Sequence, residues 1–295
     1  MNRLWKDKFA DKSMMAVTLA AGLLLFVMIF ALFAKSRPIL STKPVLDLLL
    51  GTAWNPSRGE FGFLPFIAGT LWVTGVAVII AVPLCLLTAI FLSEYSPRWL
   101  REFAKPPIDL LAGIPSVVYG VWGVIVVVPF IKNHVGPAFG THTSGYSILA
   151  GGVVLAIMIF PVIIHISLEV LGAVKFEVRE VSLALGATRW QTVKHAILRK
   201  ASPGIFAAVV LGLSRAFGET MAVLMVTGNV ARLPHSVFQP AYTLPALIAN
   251  NYGEMLSIPL YDSALMLASL ILLLVTLIFN IMSQAILVRL ERRVV

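Results

Sequence analysis

A long, almost uncharged run occupies Leu149–Leu171 and reads LAGGVVLAIMIFPVIIHISLEVL. Its one formal charge is Glu169, close to the end of the run. A helix needs about 20 predominantly apolar residues to cross the hydrocarbon core of a bilayer. This run therefore predicts a membrane-spanning helix, and it sets the pattern that the rest of the chain can be searched for.

Five further runs of the same kind flank it on both sides. They are Ser13–Ala34, Pro65–Leu92, Pro107–Phe130, Ile205–Thr227 and Ser263–Val288. Hydrophobic residues make up 59% of the 295 residues and charged residues only 13%, about half the usual charged share of a soluble domain. This composition excludes a soluble globular protein, a disordered chain and a disulfide scaffold. The sequence predicts an all-α, polytopic integral membrane protein with six transmembrane helices.

The distribution of basic residues predicts the orientation of these helices, because cytoplasmic loops are enriched in Lys and Arg. Sixteen basic residues lie in the two tails and in the second and fourth connections, against six in the other connections. Both termini are therefore expected in the cytoplasm, and the net charge of +9 is mainly a topology signal. The lone Cys85 lies in the second apolar run and is expected to be a small buried hydrophobe.

The connection between the fourth and fifth runs has the pattern of two short helices joined by a turn. It reads EVREVSLALGATRWQTVKHAILR at residues 177–199. Gly186 can adopt the left-handed conformation that ends a helix. Thr188 and Gln191 have the spacing of a capping box, in which each side chain bonds the other residue's backbone N–H. The segment is predicted to form an amphipathic hairpin on the cytoplasmic side.

This hairpin resembles the E-A-A-x3-G-x9-I-x-L-P loop of ABC importer permeases. Glu180, Ser182, Gly186 and Leu198 fit the spacing, whereas Val181, Ala196 and Arg199 depart from it. The resemblance implies a type I ABC importer permease fold (MetI-like), with a hairpin that docks on an ATP-binding subunit. The residues expected to couple the chain to that subunit are Glu180, Ser182, Gly186, Ala187, Thr188, Trp190 and Leu198. The sequence contains no G-x-x-x-x-G-K-[ST] loop for ATP phosphates.

The fifth run contains two charges, Arg215 and Glu219, and an intramembrane charge is a functional hypothesis by default. Arg215 is expected about 15 Å into the membrane, at 1.5 Å per residue from Ile205, with Glu219 one turn further on the same helix face. Arginine offers a planar donor fork suited to an oxyanion. A carboxylate can accept a hydrogen bond from a protonated phosphate oxygen but is unpaired and repulsive toward sulfate. A structural ion pair is the alternative.

Three separated motifs resemble those of high-affinity phosphate importer permeases, and the resemblance covers roughly residues 60–290. They are RAFGETMAV at 215–223, GIPSVVYG at 113–120 and FGFLPFIAGTL at 61–71. The T-M-A after Glu219 is similar to the C-type of the two homologous permeases. The resemblance implies a phosphate pathway at Arg215, Glu219, Thr220 and Ser214, with Pro115 and Ser116 as pathway-lining candidates. It also implies a multi-pass protein of the bacterial inner membrane.

The same resemblance implies a set of partners. They are a second homologous permease, a dimer of ATP-binding subunits that carries the ATP and Mg, and a periplasmic phosphate-binding protein. The chain is expected to hold no cofactor, no metal and no catalytic residue, and to have no nucleic-acid partner. Residues 1–64 are expected to hold the tail, the first span and the first periplasmic loop, and residues 65–295 the core permease domain.

Two alternatives stay open from the sequence. One is a related permease for molybdate or sulfate. The other is a self-contained ion-coupled transporter or channel, in which Arg215 and Glu219 would gate the pathway or relay protons.

Overall fold

The computed structural model describes residues 2–254 and 258–294, with side-chain environments from residue 9 to residue 288 apart from 255–257 and 287. Six of its helices are long and apolar enough to cross a membrane, which confirms the predicted number. The helices in chain order are α1 Asn2–Thr42, α2 Val45–Leu50, α3 Leu64–Tyr95, α4 Arg98–Gly113, α5 Ser116–Ala138, α6 Ile148–Gly172, α7 Phe176–Ala184, α8 Arg189–Phe217, α9 Met221–Val226, α10 Leu244–Asn251 and α11 Tyr261–Val294. The spans are α1, α3, α5, α6, α8 and α11.

The centre of the bundle is the contact between α3 and α6. Small residues follow one stripe of α3 at every fourth position, and all are fully buried: Ala77, Ala81, Cys85 and Ala89. Gly152 on α6 has no room for a side chain, because an added Cβ would lie 2.4 Å from Val76 Cγ1. Small residues let helices approach closely in membranes, so this stripe brings the two spans together. Cys85 is the small buried residue that the sequence predicted.

The first span is longer than predicted. The expected end at Ala34 is wrong, since α1 continues through Pro38 to Thr42. Ser36 and Ile39 lie beyond that expected end and are fully buried, with Ile39 in an apolar cluster that includes residues of α11. Tertiary packing therefore keeps this segment helical past Pro38, although a proline removes one backbone hydrogen bond and crowds the preceding turn.

The third span begins later than predicted. The expected start at Pro107 is wrong, because α4 ends at Gly113 and α5 begins at Ser116, with Ile114 and Pro115 extended between them. A residue that precedes proline is pushed out of the helical region by the pyrrolidine ring. Residues 107–113 instead finish α4, an amphipathic helix whose described residues include none that is buried.

The two long connections are structured. The first carries α2 and a two-stranded ribbon, β1 Trp54–Asn55 and β2 Glu60–Phe61, which pair antiparallel with Trp54 opposite Phe61. The second carries α10, whose first residues are buried with the ends of α3 and α11 in one apolar cluster.

Candidate functional site

The fifth span is interrupted beside its charged residues. The predicted continuous helix over 205–227 is wrong: α8 ends at Phe217, residues 218–220 are not helical, and the short helix α9 begins at Met221. Glu219 therefore does not lie one turn beyond Arg215 on the same helix face. Non-helical backbone at membrane depth is tolerated where it is buried in protein or lines a cavity, so the interruption marks a candidate site.

The two charges occupy opposite kinds of helix end. Arg215 lies in the last turn of α8 and is exposed. Glu219 precedes α9, and its Oε1 accepts a hydrogen bond of 3.2 Å from the backbone N–H of Ala222. A cation is favoured at a helix C-terminus and an anion at an N-terminus, so the break itself explains the order Arg then Glu. Among the described ion pairs, none joins Arg215 to Glu219 within 4.0 Å.

A second interruption is the one between α4 and α5. Pro115 has no N–H, which leaves the carbonyl of Leu111 without its helical partner. The Tyr119 hydroxyl donates to that carbonyl across 2.7 Å. Pro115 is exposed and Ser116 half-buried. The proline therefore frees a backbone carbonyl, but Tyr119 of α5 satisfies it.

The two interruptions lie at the same level of the bundle. An added Cβ on Gly120 would meet Ala222 Cα at 3.2 Å, and one on Gly123 would meet Val226 at 2.7 Å. The matched order of these contacts means that α5 and α9 run parallel and in register. The residues just before Ser116 on one helix therefore lie beside those just before Met221 on the other.

The remaining predicted pathway residues make local contacts. The Ser214 hydroxyl donates to Asn280 Oδ1 across 2.8 Å, which ties α8 to α11. The Thr220 hydroxyl donates to the carbonyl of Gly218 within the break. Asn280 is a polar contact of this region that was not predicted, although an amide inside the apolar run of the last span was a visible signal.

The hairpin at 177–199 has the predicted local geometry. Gly186 has a φ of +82°, and the capping box of Thr188 and Gln191 is formed in both directions. The hydroxyls of Ser182 and Thr192 lie 2.9 Å apart and join the two helices of the hairpin.

Much of the apolar surface of the hairpin faces outward. Val181, Leu183, Leu185 and Trp190 are half or more exposed, with Leu185 at 84%. Glu180 and Thr188 are exposed, and Ala187 and Leu198 are half-buried. The buried residues of the second helix of the hairpin include Thr192, Val193 and Ile197. Trp190, which is 52% exposed, therefore does not share the buried face of Val193 and Ile197. Several large apolar side chains exposed on one short hairpin suit an interaction surface.

An arginine cluster that the sequence analysis missed anchors the hairpin. The last turn of α3 presents the carbonyls of Leu92, Ser93 and Glu94, which accept hydrogen bonds from the guanidinium groups of Arg101 and Arg189. The Glu94 carboxylate accepts from Arg179. Cations are favoured at a helix C-terminus, so this cluster, named here the α3 arginine cap, connects α3 to α4, α7 and α8.

Comparison with known proteins decides the family. Residues 81–295 match the family model described as "Binding-protein-dependent transport system inner membrane component". The chain belongs to this family. It is a multi-pass inner-membrane protein and a permease subunit of ABC transporters.

Similar members of this permease family cover most of the chain. A "Probable ABC transporter permease protein YqgH" of Bacillus subtilis is 42% identical over 79% of this chain and 75% of its own length. A "Phosphate transport system permease protein PstC" of Xylella fastidiosa is 39% identical over 84% of this chain and 80% of its own length. The protein with the same printed name in Mesorhizobium japonicum is 37% identical over 94% of this chain and 90% of its own.

Solved structures share the fold of this permease. A MetNI methionine ABC transporter in an inward-facing conformation aligns with a TM-score of 0.58 at 19% identity, over 75% of this chain and 93% of that one. A bacterial alginate ABC transporter aligns with a TM-score of 0.60 at 16% identity, over 95% and 96%. The predicted MetI-like fold is confirmed.

Proposed function

We propose that this chain is the C-type transmembrane subunit of an ATP-driven importer, and that it moves inorganic phosphate across the inner membrane. The observation that carries the proposal is the exposed Arg215 at the break of the fifth span, in a family whose similar members include phosphate permeases. A guanidinium presents a fork of donors that matches two phosphate oxygens. An Arg with no ion-pair partner among the described residues is available to bind an anion.

Glu219 is the residue expected to distinguish phosphate from other oxyanions. Its Oε1 is engaged by the Ala222 N–H, and an ionised carboxylate can only accept hydrogen bonds. Phosphate near neutral pH carries at least one proton that could be donated to such a group, whereas sulfate carries none. This difference favours a phosphate permease. A permease for sulfate or molybdate remains the alternative.

Energy would come from partner subunits. The outward apolar residues of the hairpin, Val181, Leu185 and Trp190, suit a docking surface for an ATP-binding subunit, and Glu180 and Ser182 flank it. ATP and Mg would be bound by a dimer of such subunits. A second homologous permease would complete the pathway, and a periplasmic phosphate-binding protein would deliver the substrate.

The proposed orientation has the hairpin and both termini in the cytoplasm, as the basic residues predict. Residues 1–64 would form a peripheral part, and residues 65–295 the core permease with its coupling hairpin. A self-contained ion-coupled transporter or channel is disfavoured, because the chain belongs to a binding-protein-dependent family.

Uptake by the reconstituted importer tests the proposal. The chain would be inserted into proteoliposomes with its partner permease and ATP-binding subunits, and the binding protein would be added outside. We expect uptake of radiolabelled phosphate that requires ATP inside and resists excess sulfate and molybdate. Uptake that molybdate or sulfate abolishes would support the alternative, and uptake without ATP would contradict an ATP-driven importer.

A further inference from the structure

A small cavity lies beside the break of the fifth span. Its polar lining consists of three threonines, Thr70, Thr74 and Thr243, and the carboxylate-bearing residue Glu219. All three threonines are at least nine-tenths buried. The cavity has room for about one water molecule. It is too small for a phosphate ion, so it is not part of the translocation pathway itself.

The hydroxyl of Thr70 is fully used. It donates to the carbonyl of Phe66 across 2.8 Å and accepts from the backbone N–H of Leu244 across 2.9 Å. Thr70 thus holds the first turn of α10 against α3. Its hydroxyl has nothing further to donate to the cavity.

The hydroxyl of Thr243 is in the opposite situation. Thr243 is the N-cap residue of α10, yet its side chain makes no capping hydrogen bond. It is 2% exposed, and its Oγ1 has no hydrogen-bond partner among the described residues. Buried hydroxyl groups in native proteins almost always have a partner. A threonine at an N-cap normally bonds its own helix, but the Thr243 hydroxyl does not, so its donor is left without an acceptor among the described residues.

Glu219 is the acceptor that the cavity offers. One oxygen of its carboxylate receives the Ala222 N–H, and a carboxylate has about four acceptor positions in all. The cavity is also lined by Thr243 and Pro245, the N-cap and an early residue of α10. The carboxylate therefore lies at the N-terminus of α9 and close to that of α10, two places where negative charge is stabilised.

We propose that one water molecule in this cavity bridges the Thr243 hydroxyl and the Glu219 carboxylate, and that Thr243 is a positioning residue for Glu219. The water accepts from Thr243 and donates to the carboxylate. The bridge holds Glu219 toward α10 and away from Arg215, which leaves the guanidinium free to bind the transported anion. The inference rests on the proposed function for its transport readout, but the bridge itself is independent of the substrate.

The first test uses conservative variants with uptake measured per molecule in the membrane. Thr243→Val keeps the shape and removes the donor, so we expect about fivefold lower phosphate uptake, the effect of losing one hydrogen bond. Thr243→Ser keeps the hydroxyl, so its uptake should stay within about twofold of that of the wild type. Ser167→Ala is the matched control, because Ser167 also has a fully buried hydroxyl without a partner but does not line this cavity. It should transport normally.

The second test separates positioning from packing. In a Glu219→Ala background, Thr243→Val should have little additional effect, because position 219 then has no side-chain acceptor for the bridging water. Independent, multiplied losses would overturn the inference, as would normal uptake in Thr243→Val or failure of Thr243→Ser to restore it. If Thr243→Val lowers the protein level, a structure of the wild-type importer that resolves ordered water decides. Absence of a water in contact with both Thr243 Oγ1 and Glu219 would also overturn it. Normal phosphate uptake in Arg215→Lys would instead contradict the proposed function and leave the bridge standing.

Discussion

The Arg179 guanidinium donates two hydrogen bonds to the Glu94 carboxylate, across 2.7 and 3.1 Å, and the two side chains are only 18% and 8% exposed. The same guanidinium donates to the carbonyls of Leu171 and Val174. One side chain on the hairpin therefore binds the ends of both central spans, α3 and α6. A partner that displaced the hairpin would therefore pull directly on the ends of α3 and α6, the two most tightly packed spans.

Arg179→Lys should weaken this anchor, because an ammonium cannot reproduce the fork that bonds both carboxylate oxygens. We expect a lower thermal midpoint for the purified complex. The loss should be larger for Glu94→Gln, because removal of one partner of a buried ion pair leaves an uncompensated charge, at a cost of about 3 kcal/mol. Arg199→Lys is the matched control, because Arg199 is exposed on the same part of the chain. Equal midpoints for Arg179→Lys and Arg199→Lys would show that the pair does not anchor the hairpin.

Gly186→Val tests the turn of the hairpin. A β-branched residue is strained at a φ of +82° by about 1–2 kcal/mol, whereas nothing lies within 4 Å of an added Cβ. The strain is therefore local, and we expect assembled complex with poor coupling of ATP hydrolysis to uptake. Gly172→Val is the control, since that site is equally open and has no positive φ. A normal ratio of uptake to hydrolysis in Gly186→Val would contradict docking through this turn.

Single cysteines test the proposed orientation. Thr188 in the hairpin and Ser144 in the connection between α5 and α6 are both exposed, and each can be replaced by Cys on a Cys85→Ala background. An impermeant thiol reagent added outside intact cells should label Ser144→Cys and not Thr188→Cys. Detergent-opened cells provide the control for reactivity. The reverse pattern would invert the topology.

The break between α4 and α5 can be tested by one variant that should lower stability and another that should lower transport without lowering stability. Tyr119→Phe leaves the Leu111 carbonyl without its donor, which should cost about 1–3 kcal/mol. Tyr146→Phe is the control, because no hydrogen bond from its hydroxyl is among those described.

Pro115→Ala restores a backbone N–H and favours a continuous helix across the break. We expect Pro115→Ala to be at least as stable as the wild type but to transport poorly, and normal uptake would show that the break has no role.

Local signals in the sequence were sufficient for the number of spans and for the hairpin turn, but not for the ends of the spans. Apolar runs of span length specify six helices, and Gly186 with the Thr188–Gln191 box specifies the turn from neighbouring residues alone. The break at residues 218–220 has no such signal, because Gly218 has an ordinary φ of −87° and the segment contains no proline. The helix that follows the break packs against Gly120, a contact between residues that are distant in sequence.

The same reason explains the missed anchor. Arg179 and Glu94 are 85 residues apart, and each alone reads as an ordinary charged residue near a membrane surface. The unpartnered hydroxyl of Thr243 was also invisible, because an N-cap threonine in a sequence is expected to cap its own helix.

Arg215 and Glu219 give the most decisive prediction. Anion binding and a structural ion pair predict different results both for single substitutions and for the exchange of the two charges. Arg215→Lys keeps the charge but loses the donor fork, so phosphate uptake per molecule should fall at least about tenfold while insertion and assembly are retained. Glu219→Gln can still accept the Ala222 N–H, so the protein should fold, but phosphate should lose part of its advantage over sulfate in competition. An ion pair would instead be restored by combining Arg215→Glu with Glu219→Arg. We expect no such rescue, because the exchange places each charge at the helix end that disfavours it. Recovery of protein level and uptake in that double variant would establish the pair as structural, and wild-type uptake in Arg215→Lys would exclude the arginine from the anion site.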